Sequence, residues 1–254
     1  MNAVCKTHPG TVRTNNEDNV LIDPERGIFI LADGMGGHQA GEVASDIAIK
    51  TVYQYLREIA EGKSKKTPVR KHLVLSLFKA DDAIKAAARE NFNLNGMGTT
   101  LVIMVVKQRT AYICNIGDSR AYLIRNGAQQ ITRDQTMGDS LVEHTKISRD
   151  EVPPHLWHTL TQAVGTANNL VPELHAVKLI KGDILLLCSD GLTNMVSDDE
   201  IEKTIVTHNG DLNRAAEKLI ECANKNGGAD NISVVLVEYQ QLPHKKKLRL
   251  TRKH

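Results

Sequence analysis

The sequence predicts an α+β fold, a four-layer α-β-β-α sandwich whose two mostly antiparallel sheets are flanked by helix pairs. Three observations predict it. Strands follow one another with connections too short for crossover helices, so they pair antiparallel. The run Leu101-Val102-Ile103-Met104-Val105-Val106 is apolar at every position rather than at alternate ones. Such a strand is covered on both faces, here by helices on one side and by a second sheet on the other. Helical periodicity falls into two groups, at 40–93 and 198–226, which gives a helix layer for each sheet.

In chain order, residues 10–18 read as a polar loop, 19–23 as a short strand, and 27–32 as its partner after a turn at Pro24. The apolar stretch Phe29-Ile30-Leu31-Ala32 is expected to stop at Asp33-Gly34. A carboxylate held there, at the mouth of a core on bendable backbone, suits a metal ligand; a strand ending in a polar turn has the same pattern. Ala40, Val43, Ala44, Ile47, Thr51 and Tyr55 recur at helical spacing, with Gly62 as the stop. A second helix covers 69–93. Strands are expected at 99–107, 111–116, 120–125 and 128–132, with Asn126-Gly127 as a two-residue hairpin. Residues 134–162 are more polar, with Pro153-Pro154 and Trp157, and read as a small helical excursion. A hairpin turning at Lys181-Gly182 joins 173–180 to 183–188. Two helices, near 198–208 and 211–226, precede a last strand at 231–239.

With 254 residues and 41% apolar content, the chain can bury a sizeable core. Its net charge is +2, but 244–254 hold six Lys/Arg and no acid, so the body carries −4. That composition excludes a nucleic-acid-binding domain. Of the scattered cysteines (Cys5, Cys114, Cys188, Cys222), three read as buried thiols of a reduced compartment. Neither a signal peptide nor a membrane span is visible. A soluble, cytoplasmic protein is expected.

Three more stretches place an Asp beside Gly or Asn at a strand end: Ile116-Gly117-Asp118, Ser189-Asp190-Gly191 and Ala229-Asp230-Asn231. Glu17-Asp18 lies just before the strand that pairs with the one leading to Asp33. Clustered carboxylates repel and raise one another's pKa unless cations lie between them. Hard oxygen donors with few histidines suit Mg²⁺ or Mn²⁺ rather than zinc. Two such ions can deprotonate a shared water and polarise a phosphoryl group. On the residues alone, a set of unrelated turns stays the alternative.

Arg13-Thr14-Asn15-Asn16-Glu17-Asp18-Asn19, Asp33-Gly34-Met35-Gly36-Gly37, Gly98-Thr99-Thr100, Gly117-Asp118-Ser119-Arg120, Ser189-Asp190-Gly191 and Gly228-Ala229-Asp230-Asn231 occur in this order. Together they resemble the metal-dependent serine/threonine phosphatases of the protein phosphatase 2C type (the PPM family), in their bacterial form, over about residues 4–239. The resemblance implies the α-β-β-α sandwich and one catalytic domain over 1–242 with a flap at 134–162; the basic run at 243–254 reads as a disordered tail. It implies two Mn²⁺ or Mg²⁺ ions and a third, weakly held one. Asp33 would bridge the pair, the Gly34 carbonyl would bind one ion, and Asp190 and Asp230 would hold the other. Glu17 and Asp18 would bind or orient metal-bound waters, and Asp118 would share the third ion with Asp190. Arg13 would grip the substrate phosphate, making Arg13, Asp33 and Asp18 the catalytic set. A bridging hydroxide would attack phosphorus in line, without a phosphoenzyme. Asn231 would orient this shell. The implied partners are phosphoproteins, targets of or including a Hanks-type serine/threonine kinase, with no nucleic acid and a monomeric enzyme.

The chain departs from the family pattern twice. Met35 stands where many eukaryotic relatives carry a histidine proton donor, and methionine cannot donate; His38, just before a helix, reads as structural. Around Leu160–Gly165, before which bacterial relatives often carry arginines, this chain has His158 and Gln162. A two-metal phosphodiesterase or nuclease would share the carboxylates but needs a nucleic-acid groove. An inactive binding module would lack ligands, and none is missing. The basic tail reads as a solvated end, with an electrostatic tether as the alternative.

Overall fold

The computed structural model describes residues 1–36, 40–63, 67–145 and 147–240. His38 and the basic tail lie outside the described residues. In chain order the elements are β1 (Asn2–His8), β2 (Asp18–Asp23), β3 (Ile28–Met35), α1 (Ala40–Glu58) and α2 (Val69–Glu90). Next come β4 (Gly98–Thr99), β5 (Leu101–Lys107), β6 (Thr110–Ile116), β7 (Arg120–Ile124), β8 (Ala128–Gln130) and α3 (Met137–His144). The chain continues through β9 (Glu173–Lys178), β10 (Ile184–Cys188), α4 (Asp190–Thr193), α5 (Asp198–Thr207), α6 (Leu212–Lys225) and β11 (Ile232–Glu238). One sheet has the order β2-β3-β5-β6-β9, with β4 paired to β3; the other has the order β1-β11-β10-β7-β8. The strand pairs are antiparallel.

Three apolar layers separate the four structural ones, and strand alternation assigns each side chain to its layer. In β5, Leu101 and Ile103 pack under α1 and α2, whereas Val102, Met104 and Val106 face the second sheet. In β10, Ile184 and Leu186 pack under α5 and α6, whereas Leu185 and Leu187 face the first sheet. This is the two-sided cover that the continuous apolar run of β5 requires.

The structure departs from the sequence expectations in five places. The chain begins with a strand, β1, which was not foreseen; its sequence NAVCKTH has weak alternation and it is mostly half-buried. β3 does not stop at Asp33-Gly34: it runs on to Met35 because Gly34 and Met35 pair with Thr99 and Gly98. Gly34 therefore serves close approach rather than a bend, since a Cβ there would collide with the Gly41 carbonyl oxygen at the start of α1. Strands 173–180 and 183–188 are not a hairpin: β9 pairs with β6, and β10 with β7 and β11. Likewise β6 and β7 lie in different sheets, joined by a corner at Gly117, whose φ is 100°. Both links are short enough for neighbouring antiparallel strands, yet each carries the chain from one sheet to the other. Of the three cysteines expected to be buried, Cys114 and Cys188 are, while Cys222 is half-buried.

Candidate metal centre

At one end of the layer between the sheets, the inward-facing series changes from apolar to polar. In β3, Phe29 and Leu31 face that layer and Asp33 is next in the alternation. Leu185 and Leu187 lead to Ser189, Val237 and Val235 to Ser233, and Met104 and Val102 to Thr100. Asp18 follows Ile22 and Val20 in the same way. Antiparallel pairing then brings strand ends together: Asp18 is the direct register partner of Asp33. Asp190 follows β10, and Asp230 and Asn231 precede its neighbour β11. Asp118 lies in the corner where β6 leaves its sheet.

Each carboxylate is fixed by named bonds. The Asp33 amide donates to Thr100 Oγ1 at 3.0 Å, and its carbonyl accepts from the Thr100 amide at 2.8 Å and the Thr99 hydroxyl at 2.8 Å. Thr100 Oγ1 lies 2.7 Å from Ser119 Oγ, a buried pair behind Asp33. Asp18 is buried; its Oδ2 accepts the Ser189 hydroxyl at 2.7 Å, while its buried Oδ1 has no hydrogen-bond partner. The Gly34 amide donates to the Glu17 carbonyl at 3.1 Å. Asn231 ties down the loop carrying Arg13 and Glu17: its Oδ1 accepts the Glu17 amide at 2.8 Å, and its Nδ2 donates to Pro9 at 3.0 Å and Asn15 at 2.8 Å. It thus orients the loop backbone rather than a side chain of the cluster. Asp190 opens α4, and its Oδ2 accepts Asn194 Nδ2 at 2.9 Å.

Arg13 lies on Asp230, Nη2 to Oδ2 at 2.8 Å, with 52% and 38% of the two side chains exposed. The residue expected to take phosphate therefore rests on a carboxylate of the cluster. Asp118 and Asp190 line a cavity of about 110 Å³ together with Arg120, Asp134, Trp157 and Asn194, none of which was singled out from sequence as a binding group. Thr100, Ser119 and Ser189 were also passed over. The signal for them was position, since each lies in a motif that holds, or pairs with, one of the aspartates.

Electrostatics confirm the crowding. Burial, then the charges of Asp18, Asp190, Asp118 and Asp230, push Asp33 well above the usual carboxylate range. Burial pushes Asp18 up to about 7 against the hydroxyls of Ser233 and Ser189, and Asp118 up to about 8 with help from Asp190 and Asp134. Asp190 is raised by burial and by the charge of Asp230, against the amide of Asn194. Neutralising positive charge is what such a cluster lacks.

Among the described residues, no three His, Cys, Asp or Glu side chains form a ready coordination shell; several of the carboxyl oxygens are engaged in the hydrogen bonds above. The donor set nonetheless fits a hard divalent cation. It is oxygen-only, its members raise one another's pKa, and the buried Asp18 Oδ1 lacks a partner.

Known proteins resemble this chain in sequence and in fold. The chain is 37% identical over 246 residues to the serine/threonine phosphatase stp of Listeria monocytogenes, covering 94% of this chain and 96% of that one. The crystal structure of the Mycobacterium tuberculosis serine/threonine phosphatase PstP superposes with a TM-score of 0.84 at 33% identity, over 94% of this chain and 98% of that one. The PstP catalytic domain in complex with two manganese ions gives a TM-score of 0.81 at 33% identity, over 93% and 97%. The Protein phosphatase 2C profile matches residues 11–237, and with these neighbours it places the chain in that family: it belongs to the protein phosphatase 2C family.

Proposed function

We propose that this protein serine/threonine phosphatase of the 2C family releases phosphate from phosphoserine and phosphothreonine in a single displacement at a dinuclear Mn²⁺ or Mg²⁺ centre. The observation that carries the reading is the convergence of carboxylates from both sheets on one end of the inter-sheet layer, with Asp18 Oδ1 unpartnered. Asp33 would serve both ions, with the Gly34 carbonyl and the Glu17–Asp18 side on one and Asp190 and Asp230 on the other. Asp118 would share a weaker third ion with Asp190. When bound, the ions supply a low-pKa water and a Lewis acid for the phosphoryl oxygens.

The chain's own residues support a displacement by water. Burial pushes the thiols of Cys114 and Cys188 up to about 12, so neither is a nucleophile at neutral pH. Arg13 has a planar fork suited to a tetrahedral oxyanion, and it exchanges Asp230 for the phosphate. Thr100 and Asn231 hold the backbone of Asp33 and Glu17 in place while this happens. Residues 134–162 act as the flap of a catalytic domain over 1–242.

The substrates are phosphoproteins, and we propose that they are the targets of, or include, a Hanks-type kinase. The four free cysteines fit a cytoplasmic enzyme, which acts as a monomer. No helix of the described residues is long and apolar enough to cross a membrane.

The test is hydrolysis of p-nitrophenyl phosphate and of a phosphoserine peptide with Mn²⁺, in the wild type and in Asp33→Asn. Loss of kcat on the order of 10²–10³ or more is expected in the variant. Undiminished turnover would remove Asp33 from the centre.

A further inference from the structure

The strands that deliver carboxylates to the metal centre carry cations at their other ends. β3 runs from Ile28, opposite Val105, to Asp33, whose amide donates to Thr100. The turn from β5 to β6 therefore lies at the far end of the sandwich, where it presents Lys107 and Arg109. β10 and β11 likewise have Ser189 and Asn231 at the centre, and Ile184 opposite Glu238 at the far end. Named bonds join that end into one surface. Thr110 is the register partner of Lys178, and the Leu179 amide donates to the Arg109 carbonyl at 3.0 Å. Past Lys181, the Gly182 amide donates to the Tyr239 carbonyl at 3.1 Å, and the Tyr239 hydroxyl donates to the Gln108 carbonyl at 2.9 Å. Val69 and His72, in the first turn of α2, line a cavity with Lys107, which brings Arg70 and Lys71 to the same end.

Arg70, Lys71, Lys107, Arg109, Lys178 and Lys181 are all exposed, and none has a carboxylate partner among the described residues. The acids of this end are engaged elsewhere: Asp183 with Arg125 at 2.7 Å, Asp23 with Arg26 at 3.0 Å, and Glu238 with Gln240 at 3.0 Å. Glu25, exposed in the turn before β3, opposes the cations. Ile180 stands between Lys178 and Lys181 with 48% of its surface exposed. After Gln240, at this same end, the sequence 244–254 supplies six more Lys/Arg, with Leu248 and Leu250 among them. The carboxylates gather at one end of the molecule and the unpaired cations at the other.

We propose that this cationic pole binds the surface of an anionic lipid bilayer and turns the carboxylate centre away from it. The chemistry of the partner follows from the residues. Four of the six cations are lysines, compact point charges rather than the planar forks that grip individual phosphates. They come from three separate segments of the chain, a spread that suits a negative surface better than one nucleic-acid strand. Apolar side chains framed by cations enter the boundary between headgroups and acyl chains, which is the place open to Ile180 and to the two leucines. The membrane is met from one side, without a span.

The test is sedimentation of the full chain with vesicles of phosphatidylcholine, with and without phosphatidylglycerol. Binding should be at least about tenfold tighter to the anionic vesicles at about 0.1 M salt, and lost at about 0.5 M. The triple variant Lys107→Ala, Lys178→Ala, Lys181→Ala should bind them about a hundredfold more weakly, at roughly fivefold per charge, with p-nitrophenyl phosphate turnover unchanged. The matching triple arginine variant should bind as the wild type does. Ile180→Ser should weaken binding several-fold without altering its salt dependence. Truncation after Pro243 should weaken binding but keep the preference for anionic vesicles. If truncation removes that preference, or if the triple alanine variant binds as the wild type does, the pole is not a membrane face and the proposal fails. It fails too if the wild type ignores anionic vesicles, or prefers a DNA oligonucleotide or polyglutamate in competition with them. Vesicle binding needs no turnover, so its failure is distinguishable from failure of the phosphatase reading.

Discussion

The carboxylate floor and the flap stand side by side at the same cavity, yet they are held differently. Asp33, Asp18 and Glu17 are fixed by bonds that cross between strands and reach buried groups: Thr100 and Ser119 behind Asp33, Ser189 under Asp18, Asn231 under Glu17. Residues 134–162 are fixed closer to the surface, by the Thr136–Leu160 bridge, the Trp157–Arg149 stack and an Arg149–Asp139 pair at 3.2 Å. A centre that must set the separation of cations tolerates little movement. A recognition element that meets varied phosphoproteins gains from some. Substitutions in the floor should therefore disturb stability and chemistry together, and substitutions in the flap should disturb neither globally.

The largest effect is expected from Asn231→Ala. It removes three hydrogen bonds at once and strands the Glu17 amide, whose partner is Asn231 Oδ1 at 2.8 Å. A loss of about 2–4 kcal/mol in unfolding free energy is expected from such unpaired groups, together with a fall in Mn²⁺ affinity. Urea denaturation and calorimetry would measure both. A stable variant with intact affinity would mean that the loop holds itself.

Next comes Thr100→Val, which keeps the shape and deletes the acceptor for the Asp33 amide. It should cost about 1–3 kcal/mol and lower kcat with KM nearly constant, since the substrate is not touched. A rise in KM alone would show that Thr100 acts on binding instead.

Asp118→Asn tests the floor through pH. Burial holds Asp118 at about 8 in the folded chain, against about 3.9 unfolded. Between those values the folded state keeps a proton that the unfolded state has released, so stability falls as pH rises through that window. Removing the charge should therefore raise the melting temperature of the EDTA-treated protein at pH 8 by about 2–4 °C or more. The gap to wild type should narrow as the pH falls toward 5 and as Mn²⁺ is added. A variant melting below wild type at pH 8 would show Asp118 to be a net stabiliser there.

How much of this was readable beforehand follows the same division. The pairing of Asp18 with Asp33 was legible, because two short strands joined by a tight turn have only one sensible register. So was the two-sided cover of β5, because every position from Leu101 to Val106 is apolar. Sheet membership was not legible. Periodicity states which face of a strand is buried but not which strand lies beside it, so the strands either side of Gly117-Asp118 were expected to share a sheet and Lys181-Gly182 passed for a hairpin turn. The continuation of β3 past Asp33 depended on β4, two residues long, too short to show a pattern. The bond from Arg13 to Asp230 joins residues 217 positions apart and leaves no local trace. His158 was visible only as a departure from a family pattern, and its contact with Asn194, 36 positions on, is tertiary.

The smallest effect, and the sharpest test of the contrast, is expected from Arg149→Ala. The guanidinium stacks on Trp157 at 4.2 Å and pairs with Asp139, but its side chain is 66% exposed. An exposed cation–π contact contributes about 0.5–1 kcal/mol, and an exposed ion pair about as little. Global unfolding should hardly register the loss, because the flap makes few of the buried apolar contacts that set the cooperative core. What should change is local: amide exchange in 149–160 should quicken several-fold while β3 and β10 stay protected. The phosphopeptide KM should rise, and p-nitrophenyl phosphate turnover should stay near wild type, because that substrate needs the floor alone. If Arg149→Ala instead lowers the melting temperature as far as Thr100→Val does, the flap belongs to the cooperative core, and the floor owes part of its rigidity to it.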